Sequence, residues 1–63
     1  MPYWISVNNR LPSSETPVLT YSPDFDGMYL IDEIWDDEWM ENRLMKIKPT
    51  HWMELPQPPI IKL

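Results

Sequence analysis

Asp24, Asp26, Asp32, Glu33, Asp36, Asp37, Glu38 and Glu41 are eight of the chain's ten carboxylates, and they fall in a stretch with no Lys or Arg. Carboxylates at this density suit two kinds of chemistry. They can surround a hard cation, which takes several oxygens at once, or they can present a field of negative charge to a basic partner. For the first, Asp24-Phe25-Asp26-Gly27 and the pair Asp36-Asp37 are the candidates. The former lacks the third acidic ligand before Gly and the closing Glu of a calcium loop, so no cofactor and no resident metal is expected. For the second, alternate residues of a strand stand roughly 6.6–6.8 Å apart on one face. Carboxylates at i and i+2, or across a hairpin tip, then form a row that competes for a Lys/Arg groove built to hold nucleic-acid phosphate. All eight residues are the candidate partner-binding set.

Other reactive groups are sparse. His51 is the only histidine and there is no cysteine, so neither a Cys-based metal site nor a thiol nucleophile exists. Ser6, Ser13, Ser14 and Ser22 sit in no nucleophile-elbow setting. No enzymatic activity is expected, and His51 reads as a structural residue with a ring nitrogen on a backbone group. The carboxylate segment carries a formal −8, and the rest, five basic residues against two acidic, +3. With a pI near 4.5, binding of DNA or RNA through phosphates is not expected. Apolar runs are far shorter than the roughly 20 residues needed to cross a bilayer, and no basic-then-apolar leader opens the chain. The expected place is the cytoplasm, away from membranes.

The elements that must position these groups are short. Sixty-three residues make one small domain, 1–63, with a thin core. Residues 3–7 and 17–21 read as strands, bounded by turn formers. The loop 22–27 holds the only Gly. Residues 28–35 read best as a strand, with Asp36-Asp37-Glu38 as a tight turn that sets Trp35 and Trp39 across from each other as an aromatic pair. A helix over part of this region is the competing reading, because Leu30, Ile31, Ile34 and Trp35 also have helical spacing. Residues 45–48 alternate like a half-buried strand ended by Pro49, and residues 50–55 form a last strand. Residues 56–63 are a Pro-rich tail, with Ile60 and Ile61 packed back or frayed. The expected architecture is α+β or all-β: a small antiparallel sheet of three to five short strands with at most one short helix. The expected core is Trp4, Trp35, Trp52, Val18, Leu19 and Ile31.

Two segments bracket the chain: Trp4-Ile5-Ser6-Val7 with Arg10-Leu11-Pro12, and Thr50-His51-Trp52-Met53-Glu54-Leu55-Pro56-Gln57-Pro58-Pro59. With the Val18-Leu19 strand between them, they resemble DUF551, a family of small, mostly phage- and prophage-encoded domains of unknown function. Pro49 is a departure, standing before Thr50 where Gly-Val would match. The resemblance implies a phage origin and a small β-rich fold, and it implies no catalytic residues. Together these observations lead to an expected function as a non-enzymatic acidic inhibitor. Its partner would be a host defence protein with a basic nucleic-acid-binding groove, of the anti-CRISPR or anti-restriction kind. The alternative is a phage accessory protein acting as a structural or oligomerising interaction module.

Overall fold

The computed structural model describes residues 3–60. Strands β1 (Ile5–Ser6), β2 (Val18–Ser22), β3 (Met28–Asp32) and β6 (His51–Glu54) make a four-stranded sheet in the order β1-β6-β2-β3. Every neighbouring pair is antiparallel. A separate hairpin, β4 (Ile34–Trp35) and β5 (Glu38–Trp39), leads into the helix α1 (Met40–Leu44). The architecture is α+β.

The two bracketing segments are one interlocked unit. Ile5 pairs with Trp52 and Ser6 with His51, and the Val7 N–H donates to the Thr50 carbonyl at 3.0 Å. On the other side of β6 the Thr50 N–H reaches the Tyr21 carbonyl at 2.9 Å. Pro49 lies immediately before this ladder, where its missing N–H costs no sheet bond, so the departure at that position leaves the register intact. Arg10 closes the unit: its carbonyl accepts from the Trp52 indole N–H at 2.9 Å, and its guanidinium lies 5.2 Å from the centre of the same ring.

Strand alternation divides the sheet into two unlike faces. Val18, Thr20 and Ser22 of β2 are buried with Asp32 and Trp52 of its neighbours. This face is closed by Ile34, Asn42 and Ile47, from the hairpin, the helix and the segment beyond it. Four of the ten buried residues among those described are polar, with Thr20, Ser22, Asp32 and Asn42 beside Val18, Ile34, Ile47, Trp52 and two prolines, Pro12 and Pro49. Buried polar groups need partners, and they have them. The Thr20 hydroxyl donates to the Leu30 carbonyl at 3.0 Å and that of Ser22 to the Lys48 carbonyl at 3.2 Å. The opposite face carries Leu19, Tyr21, Tyr29, Ile31, His51 and Met53, none of them fully buried.

Several expectations are corrected by this arrangement. Trp52 and Val18 are core and Leu19 is half-buried, whereas Trp4, Trp35 and Ile31 lie on the open side, exposed by 40, 44 and 61%. The hairpin turn has two residues, Asp36 and Asp37, and not three. Both have positive φ, 51° and 62°, the signature of a type I′ turn. One residue of register follows from that. Ile34, 2% exposed, faces Trp39, and Trp35 faces Glu38, so the two Trp are not a cross-strand pair.

The strand expected over 28–35 is broken at Glu33, where Asp32 turns its side chain onto the Glu33 N–H at 2.7 Å. Residues 45–48 are not a strand, because they finish the helix. The Lys46 N–H bonds the Arg43 carbonyl at 3.1 Å and the Ile47 N–H bonds that of Asn42 at 2.9 Å, with Lys46 at φ 58°. This is a Schellman cap with Lys at the position where Gly is usual. Residues 56–60 of the tail are exposed, Ile60 by 90%, and residues 61–63, Ile61 among them, fall outside the described residues.

Candidate protein-binding face

The eight carboxylates do not form one row. Asp24 and Asp26 sit on a single 3-10 turn between β2 and β3, and the others begin at Asp32, the last residue of β3. A five-residue strand separates the two groups by about 17 Å. Gly27 makes the first group possible: its φ is 94°, and a Cβ there would come within 3.3 Å of the Tyr21 hydroxyl. A side chain would therefore be strained and crowded.

Asp32 must be removed from the partner-binding set. It is 3% exposed, and its carboxylate accepts the backbone N–H groups of Glu41 and Asn42, both at 2.9 Å, and the Asn42 side-chain amide at 2.8 Å. These two backbone donors lie in the first turn of α1, where a capping residue normally bonds them. The residue before the helix, Trp39, supplies no side-chain cap, and the Met40 N–H goes to the Glu33 carbonyl at 3.2 Å. Burial alone would raise the Asp32 carboxyl. The donors from Glu41, Asn42 and Glu33 outweigh it and hold the group below its ordinary value.

The remaining carboxylates reach the surface. Asp36 and Asp37 stand on the hairpin tip, and Glu38 and Glu41 are exposed beside them. Glu38 meets Arg43 at 3.7 Å, the one ion pair among the described residues, and both side chains are too exposed for it to add much stability. Glu33 is half-buried and accepts the Trp35 indole N–H. Among the described residues no three His, Asp or Glu side chains converge as cation ligands would, and no helix is long and apolar enough to cross a membrane.

Residue-type reasoning missed the apolar part of this surface. Tyr29, 61% exposed, packs its ring 5.1 Å from that of Tyr21 and 6.2 Å from that of Trp4. With His51 these rings line a shallow cleft of about 260 Å³. His51 bonds the Thr50 hydroxyl through Nδ1 at 2.8 Å, not a backbone group. A second cleft, of about 410 Å³, lies where β3 runs into the hairpin, with Ile31, Glu33, Trp35 and Glu41 on its walls. The odd-numbered alternation of Tyr29, Ile31, Glu33 and Trp35 was the available signal.

The described residues thus make a small antiparallel sheet with one closed face, one open aromatic face and a carboxylate-rich hairpin. The chain belongs to the family DUF551, described as proteins of unknown function, whose model matches residues 3–60. Comparison with curated proteins and with solved structures gave no match.

Proposed function

We propose that this domain works by binding, as a non-enzymatic acidic inhibitor that occupies a basic, nucleic-acid-holding surface of a host defence complex, and that it is phage-encoded. One observation carries the reading. Asp24, Asp26, Asp36, Asp37 and Glu41 are exposed, and Arg43 with Glu38 is the single ion pair among the described residues. Such unpaired charge attracts a Lys/Arg groove over a Debye length of about 8–10 Å and repels nucleic acid. The test is capture of host protein on the immobilised domain, compared with Asp36→Asn/Asp37→Asn/Glu38→Gln. The expected partner is a nucleic-acid-binding protein, released by salt or by competing duplex, and lost with the triple variant. Undiminished, salt-independent capture by that variant would overturn the reading.

A second reading, an accessory module that assembles through its sheet, is favoured by the exposure of Tyr29 and Ile31 on an edge strand. Sedimentation showing a strict monomer would remove its self-associating form.

A further inference from the structure

We infer that the free edge of the sheet along β3 docks an extended, arginine-bearing segment of the partner, with the guanidinium between Glu33 and Glu41 and its stem on Ile31 and Trp35. This rests on the basic-partner reading above and names the part of the surface that reads the partner. β3 is the last strand of the sheet, with a neighbour on one side only. It exposes Tyr29, Ile31 and, past the bend at Glu33, Trp35. A strand edge with no ladder partner is a template for another strand.

Charge selects the occupant. The cleft of about 410 Å³ has apolar walls from Pro17, Ile31, Trp35 and Met40, and carboxylates from Glu33 and Glu41. Its other carboxylate, Asp32, is already engaged by the helix. No Lys or Arg lines it. A second copy of this chain would bring the same carboxylates to the same place, which like charge disfavours. An apolar side chain would fill the walls and bury the carboxylates without a partner, at a cost. Arginine satisfies both: its stem covers apolar surface, its plane stacks on an indole, and its donor fork suits carboxylates better than an ammonium does. Glu33 uses one oxygen on the Trp35 indole N–H, and its other lone pairs remain for such a fork. That indole proton is a built-in reporter.

The experiment is a nuclear magnetic resonance titration of the isotope-labelled chain with a short peptide alternating Arg and Val, with Lys-Val and Glu-Val peptides as controls. The expected result is saturable shifts across residues 29–35 and at the Trp35 indole proton. Arg-Val should bind about fivefold or more tighter than Lys-Val, and Glu-Val should not bind. Ile31→Ser and Trp35→Ala, both at exposed positions, should each weaken Arg-Val about tenfold, with dispersed spectra to report the fold. Shifts confined to residues 24–26 or 36–38, equal binding of Arg-Val and Lys-Val, or binding of Glu-Val would overturn the inference. So would self-association through this edge in the peptide-free chain. Host capture lost in the hairpin triple variant but retained in Ile31→Ser and Trp35→Ala would sink the cleft and leave the acidic-inhibitor reading standing. Loss in the cleft variants alone would do the reverse.

Discussion

The Asp32 carboxylate takes both the backbone N–H and the side-chain amide of Asn42, at 2.9 and 2.8 Å, inside the core. The same amide nitrogen donates to Thr20 Oγ1 at 3.1 Å, so one residue of the helix is tied to two strands of the sheet. A core with four buried polar side chains holds together through this network, and each member leaves a buried donor or acceptor unsatisfied if its partner is removed.

Asp32→Ala is expected to destabilise the chain by about 3 kcal/mol, since it strips an acceptor from several buried donors at once. Asp32→Asn, which keeps one acceptor oxygen, should cost less. Urea denaturation at neutral pH measures both, and a loss from Asp32→Ala no larger than that of an exposed carboxylate such as Asp24→Ala would refute the capping role.

Acid should weaken the fold through the same residue. The folded carboxyl sits below its ordinary value of 3.8, so on acidification the unfolded chain protonates Asp32 first. The stabilisation is fully present above the ordinary Asp range and is lost as pH falls through the depressed folded value. The stability gap between wild type and Asp32→Asn should be constant from neutral pH to about pH 5 and shrink below about pH 4. A gap that does not narrow in acid contradicts the assignment.

Two backbone positions invite stabilisation. Lys46 caps the helix at φ 58° and Asp37 closes the hairpin at φ 62°, conformations that glycine adopts without steric cost. Lys46→Gly and Asp37→Gly should each raise stability by about 0.5–1 kcal/mol in thermal or urea unfolding, a range set by the left-handed penalty less the added chain entropy. A destabilising Lys46→Gly would argue against the Schellman cap.

The Arg10–Trp52 contact joins the two ends of the chain. Trp52→Phe removes the indole N–H from the Arg10 carbonyl and leaves a void, at an expected cost of about 2–3 kcal/mol. Arg10→Met keeps the stem but loses the cation over the ring, and should cost about 0.5–1 kcal/mol. Equal, negligible effects in both variants would mean that the ends are joined by the β1–β6 ladder alone.

The amino-acid sequence was sufficient for much of this protein. Turn formers around Val18 and Trp52 marked the strands, the shared end patterns marked the family, and the −8 segment located the charged surface. Local chemistry carries those signals, because strand alternation and turn residues act over a few positions. It could not show that Asp32, counted among eight similar carboxylates, is buried, because the donors that hold it come from Glu41 and Asn42, nine and ten residues later. Nor could it decide which Trp is core. The two-residue turn at Asp36-Asp37 sets the hairpin register, turning Ile34 inward and Trp35 out, and the helix cap at Lys46 ends what alternation alone reads as a strand. Register and long-range caps depend on the assembled chain, and here they alone separate the structural carboxylate from those left on the surface.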